Sequence, residues 1–153
     1  MRGMVNAPET VPRLSAASVL GGAPVLHCLP HSTLEWVAVV RHGISVQAVD
    51  AVVRAMGIGQ SELAKALNIP GRRLVRRKQQ GLLSSDDSAK MVRLAHVIER
   101  AAEVFEDHHK AMGWLTSPNA ALLGADPLSL LDTEFGAVAI SSTLGRIEHG
   151  IFA

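Results

Sequence analysis

From about Ser32 onward, apolar positions recur three and four residues apart, and no run alternates in the two-residue period long enough to predict a strand. Ser32 or Thr33 caps a first helix that turns Leu34, Val37 and Val40 inward, and His42-Gly43 stops it. Ser45 caps a second, with Val49, Val52, Val53 and Met56 on one face and Gly57 at its end. "SELAKALNIPGRRLVRRKQQG" follows as two short helices around a tight turn. The clearest helix is "LLSSDDSAKMVRLAHVIERAAEVFED". Ser84 or Ser85 caps it, Asp86 and Asp87 sit against the positive end of its dipole, and Met91, Leu94, Ile98 and Phe105, with Ala101 and Ala102, form its apolar stripe. Beyond Asp107 the pattern predicts a helix ending before Pro118, a turn at Gly124–Pro127 with a short helix after it, and a last helix with Val138, Leu144 and Ile147 inward. Trp114, Phe135, Leu130 and Leu131 are expected in the core. Residues 1–30 hold Pro8, Pro12, Pro24, Pro30 and the Gly21-Gly22 pair without sustained periodicity, which predicts a mostly flexible arm with at most a helical turn near Arg13–Leu20. The fold class is all-α.

Composition sharpens this. Hydrophobic residues make up 48% of the 153, but aromatics only 3%, so the core must be aliphatic. Cys28 is alone, excludes an internal disulfide, and reads as a small apolar filler in a reducing compartment. No apolar run approaches the roughly 20 residues of a membrane span, and no secretion signal is legible, so a cytoplasmic location is expected. Charge is divided along the chain. Residues 1–85 carry ten Lys/Arg against four Asp/Glu, and residues 86–153 carry five against ten. The first part suits a polyanion and the second does not.

The basic charge is concentrated where the spacing is that of a helix-turn-helix. No acid lies between Glu62 and Asp86, while Lys65, Arg72, Arg73, Arg76, Arg77 and Lys78 do. Leu63, Ala64 and Leu67 face inward from the first helix, Asn68 occupies a position that needs φ > 0, Ile69 plugs the turn and Leu74 faces back from the second helix. Pro70-Gly71 opens that second helix. Its first residues are expected at base edges of a major groove and its later ones at phosphates, with Lys65, Gly71, Arg72, Arg73, Arg76, Arg77 and Lys78 as the DNA-binding set. Arg77 stands where such motifs place a third apolar core residue, so Val75 or Leu82 is expected to supply that contact.

From about Ser45 onward the sequence resembles the Xre/MbcA/ParS antitoxin family. The resemblance is carried by "GQSELAKALNIPGRRLVRRKQQGLLSSDDSAKMVRLAHVIERAAEVFED", then Trp114-Leu115, Pro118, Gly124–Pro127, Leu130–Thr133 and Arg146–Gly150 in the family's order. "LNIPGRR" replaces the family's usual "LGIS" turn. The resemblance implies an Xre-like helix-turn-helix followed by a small helical toxin-binding domain. It divides the chain into the N-terminal arm (1–30), a DNA-binding and dimerisation domain (31–83), and a long helix with the toxin-binding domain (84–153). It also implies a co-encoded RES-type toxin that destroys NAD⁺. The antitoxin, usually a homodimer within a hetero-oligomeric complex, covers or enters the toxin's active-site cleft, and the complex binds operator DNA and represses its own promoter.

On that basis Arg146, Ile147, His149, Gly150, Ile151, Phe152 and Ala153 are the expected toxin-binding residues. Arg146 would make a cationic contact or pair with a toxin acid, Phe152 would fill an apolar ring subsite, and the terminal carboxylate would imitate a phosphate. The alternative is that the apolar tip docks on its own domain. No Gly-rich phosphate loop, nucleophile elbow or paired-carboxylate site is legible, so no catalysis and no cofactor are expected. His108-His109 beside Glu103, Glu106 and Asp107 reads as a helix end favouring cations rather than a metal site. A stand-alone helix-turn-helix regulator with a C-terminal oligomerisation or ligand-sensing domain is the alternative function.

Overall fold

A computed structural model describes residues 14–150, and among these the regular structure is helical. The helices are α1 (Ala16–Val19), α2 (Ala23–Leu26), α3 (Thr33–His42), α4 (Gln47–Met56), α5 (Gln60–Ala66), α6 (Gly71–Gln80), α7 (Ser85–Phe105), α8 (His108–Leu115) and α9 (Glu134–Glu148). Two 3-10 turns, Ala120–Leu122 and Pro127–Leu130, join α8 to α9, and an isolated antiparallel bridge joins Ser45 to Leu82. Among the described residues no helix is long and apolar enough to cross a membrane.

The long helix organises the rest. Ser84 accepts from the Asp87 amide at 3.1 Å and starts α7 as its sequence predicts. Its buried residues run from Asp87 and Ser88 through Met91, Val92, Leu94, Ala95, Val97 and Ile98 to Ala101. At 100° per residue these cover an arc of about 220°, twice the stripe of an ordinary surface helix. Helices α1, α3 and α4 pack on one part of this arc and α8 and α9 on another.

The amino-terminal segment departs from the flexible arm expected for it. Residues 1–13 lie outside the described residues, but Ala16, Val19 and Leu20 are buried against α7 and α4. Ser15 and Ser18 form a reciprocal cap, and the Ala16 amide donates to Glu99 Oε2 on α7 at 2.5 Å. The helical turn expected near Leu20 is thus a packed helix. Cys28 is exposed, not a core filler. Helix α3 also departs from expectation. Ser32 caps it and Val40 faces the core as expected, but Leu34 is 79% and Val37 37% exposed, and Trp36 and Val39 face the core instead. Trp36 meets His96 of α7 edge-on at 4.8 Å, which rotates α3 so that its aromatic side is inward.

The C-terminal helix is placed by close approach. An added Cβ at Gly136 would lie 1.6 Å from the Leu130 carbonyl oxygen, so only glycine lets the first turn of α9 sit on the turn Pro127–Leu130. Ile140 and Leu144 are fully buried. Thr133 caps the helix by accepting from the Gly136 amide at 3.2 Å. Leu131 is fully buried and Leu130 partly, as expected, while Trp114 is partly buried with its ring 5.7 Å from Phe105. Phe135 and Val138, both expected inward, instead point to solvent.

The same substitution at two glycines of α9 has opposite expected signs. Gly136→Ala overpacks against backbone and lowers unfolding stability by about 2 kcal/mol or more. Gly145→Ala, with nothing within 4 Å of the new methyl, raises it by about 0.5–1 kcal/mol through helix propensity. Urea unfolding of the two variants checks both.

Candidate nucleic-acid interface and partner-binding face

The helix-turn-helix forms from the residues the spacing singled out. Leu63, Ala64, Leu67, Ile69 and Leu74 are buried, and Asn68 adopts φ 54°, letting the Ile69 amide donate back to the Ala64 carbonyl at 2.8 Å. Pro70 precedes α6 without a side-chain cap, so the first amides of α6 are left for another acceptor. Gly71 is exposed, with nothing near the position a Cβ would take. Arg72 and Arg76, one turn apart, are exposed along α6, and Lys65 is exposed on α5. Lys78 donates to Gln60 Oε1 at 2.5 Å, joining the end of α6 to the start of α5.

Two of the expected DNA-binding arginines are placed differently. Arg73 makes a two-pronged pair with Asp87, Nε to Oδ2 at 2.9 Å and Nη2 to Oδ1 at 2.8 Å. Asp87 is 1% exposed, so this pair fastens the start of α6 to the start of α7 and uses the guanidinium that was expected at DNA. Lys90 Nζ lies 4.0 Å from the same carboxylate and donates to the Asn68 carbonyl at 3.1 Å, holding the turn. Arg77 is half-buried, and its Nε is enclosed with no hydrogen-bond partner. That enclosure matches a core position. The compensating contact does not come from Val75 or Leu82, which are exposed; the next residue, Leu83, is buried, with its amide donating to the Ile44 carbonyl at 2.9 Å.

The second surface lies on α9. With Ile140 and Leu144 inward, helical geometry puts Phe135, Val138, Ser142, Arg146 and His149 on one outward stripe. Phe135 is 89% and Val138 67% exposed. Arg146 and His149 are exposed as well, Ile147 is half-buried, and Gly150 turns the chain at φ 71°. Ile151, Phe152 and Ala153 lie outside the described residues. Arg100 of α7 holds Glu148 through both guanidinium ends and reaches Glu103 at 3.4 Å, which fixes the end of α9 against α7. The Arg100 guanidinium keeps the Glu148 carboxyl below its ordinary 4.5. The clamp is therefore intact at neutral pH and is lost only as pH falls below the ordinary glutamate range. His108 Nε2 lies 2.6 Å from the Ala55 carbonyl, bracing α8 against the end of α4.

Phe135 and Val138 were missed because large apolar residues were assigned to the core by type. Counting back from His149 and Arg146 in steps of three and four reaches Ser142, Val138 and Phe135, so the register itself held the signal.

Residues 35–96 match the antitoxin Xre-like helix-turn-helix domain, and residues 100–150 match the antitoxin Xre/MbcA/ParS C-terminal toxin-binding domain. Antitoxin Xre of Yersinia enterocolitica is 34% identical over 116 residues, 74% of this chain and 78% of its own. The chain belongs to the Xre/MbcA/ParS antitoxin family. Antitoxin Xre of Photorhabdus laumondii is 33% identical over the same length, with the same shares covered. A Sphingobium protein named Prs ADP-ribosylating antitoxin is 26% identical over 132 residues, 80% of this chain and 83% of its own. The exposed stripe and the clamped end of α9 both fall inside the toxin-binding match.

The Arg73–Asp87 pair generates a test. Arg73→Ala leaves a buried carboxylate without its main partner and costs about 2 kcal/mol in urea unfolding, discounted for the partial exposure of Arg73. Asp87→Asn removes the charge from the other side of the pair and should lower unfolding stability alongside it; an Asp87→Asn variant as stable as the parent chain would show that the pair does not hold α6 to α7.

Proposed function

We propose that this family member neutralises a RES-type, NAD⁺-degrading toxin by covering its active site with the C-terminal region, and represses its own operon by binding operator DNA. The observation that carries the reading is the outward end of α9. Arg146 and His149 are exposed, Arg100 clamps Glu148, and Gly150 is exposed at a positive φ of 71°, all within the toxin-binding match. Residues 84–153 then serve the toxin. Arg146 supplies a cation to a cleft built for an anionic pyrophosphate, while Ile151, Phe152 and Ala153 bring apolar contacts to its ring subsites.

Residues 31–83 serve DNA and dimerisation. Gly71 lets a phosphate approach the uncapped start of α6, Arg72 and Arg76 face the groove, and Lys65 and Lys78 flank it. Exposed Leu34 and Val37 offer the homodimer an apolar face on α3. Arg73 acts as a positioning residue for α6 rather than as a reader.

The Sphingobium relative's name favours a second reading of the partner's chemistry, a toxin that transfers ADP-ribose to a protein. Incubating the co-encoded toxin with NAD⁺, with and without cell protein, distinguishes the two. Degradation proceeds with water or inorganic phosphate as co-reactant and labels no protein, whereas transfer needs a protein acceptor and labels it.

Deleting Gly150–Ala153 should abolish rescue of toxin-expressing cells and leave the operator gel shift unchanged; rescue by the truncated chain would overturn occupancy by the tail. Arg72→Ala and Arg76→Ala should each weaken operator binding about tenfold and lower the salt slope by about one. A stand-alone regulator would bind DNA but give no rescue.

A further inference from the structure

We infer that the outer stripe of α9, headed by Phe135 and Val138, is a docking face for the toxin that acts apart from the carboxy-terminal tail. The inference rests on the toxin-neutralising reading and divides it into two steps, anchoring by the helix and occupancy by the tail. The chain has only three Phe and two Trp. Trp36, Phe105 and Trp114 all pack partly on the core, yet Phe135 is 89% exposed and Val138, one turn along the same face, is 67% exposed. Single exposed apolar residues are ordinary; an aromatic and a β-branched residue aligned on one surface stripe form a patch.

The composition of the stripe matches a binding face. An aromatic anchor stands at one end and an arginine at the other, the two side-chain types that dominate binding energy at protein interfaces. Ser142 and Gly145 lie between them, so nothing bulky keeps a partner surface away from the helix.

Continuity identifies the occupant as the toxin. The stripe runs about 21 Å from Phe135 to His149, next to Gly150 at the end of the segment matching a toxin-binding domain. A strip of that length and one helix width, about 10 Å, covers about 200 Å². A stable interface needs about 800 Å² per partner, so the stripe is one part of a larger contact to which the tail adds. The Phe135 end of the stripe lies about 21 Å along the helix from His149, farther than a single cleft-sized subsite reaches. It therefore meets the toxin outside the catalytic cavity, on an apolar surface beside it.

The test uses the full chain and the co-encoded toxin carrying an inactivating substitution, with affinity measured at 0.15 M and 1 M salt. The double variant Phe135→Ser/Val138→Ser should bind at least tenfold more weakly at both salt concentrations, with unchanged thermal stability and an unchanged operator gel shift. Deletion of Gly150–Ala153 should still give a complex, but one in which active toxin retains its activity. Unchanged affinity in the double variant overturns the docking face. So does a drop in the oligomeric state of the isolated chain, which would assign the stripe to a second copy. A wild-type chain that does not bind the toxin overturns the functional reading and the docking face with it. A tail deletion that abolishes complex formation by itself overturns the separation into two steps.

Discussion

The fold depends on one helix having to bury most of its circumference. A surface helix needs one apolar stripe, but α7 buries residues over about 220°. No single neighbour can cover such an arc, so elements from both ends of the sequence must pack against it. Helices α1, α3 and α4 take one part and α8 and α9 another. The polar residues in its first buried turn make the arrangement specific. Ser88 Oγ accepts from the Ile44 amide at 2.9 Å, and Asp87 receives Arg73. Sliding α7 along its axis would strand both groups in an apolar interior.

This constraint explains why the basic helix and the acidic half of the chain are held in fixed relation. The start of α6 is tied to α7 by the Arg73–Asp87 pair, the turn before it by Lys90 and Asn68, and the far end of α9 by Arg100 and Glu148. Arg93 adds a bond to the Leu131 carbonyl at 3.3 Å. Each of these contacts uses a charged residue of α7 whose role cannot be read from its charge alone. The net charge of a segment predicts which partner it attracts at long range, but individual arginines inside a cationic segment are divided between the partner and the fold.

That division marks how far the sequence could be read. Helix spacing gave α3 to α9, with the expected serine caps found at α3 and α7 but not at α4, where Val46 rather than Ser45 takes the cap position, and the buried set Leu63, Leu67, Ile69 and Leu74 follows from period and turn chemistry. What failed shares one cause, an assignment made by residue type where a longer-range contact decided. Leu34 and Val37 are apolar at helical spacing, but Trp36 needs His96, and a helix cannot turn both faces inward. Residues 14–26 carry Pro and Gly in an irregular pattern, yet Ala16, Val19 and Leu20 fill space over α7 that nothing nearby in sequence announces. Arg73 sits in a run of cations, and its pairing with Asp87, fourteen residues later, is a contact that the local spacing does not announce.

Phe135 shows the same principle from the other side. Burying a phenylalanine is worth about 1.5–3 kcal/mol, and in a chain with 3% aromatics a core position for it would be the default. The register of α9 prevents this. Gly136 must press on the Leu130 carbonyl, and once it does, Ile140 and Leu144 occupy the inner face and Phe135 is carried outward. Turning α9 by a third of its circumference would bury Phe135, but it would drive a larger side chain into the Gly136 contact and expose two fully buried aliphatics. The exposed aromatic is thus a consequence of packing elsewhere, the core having closed without it.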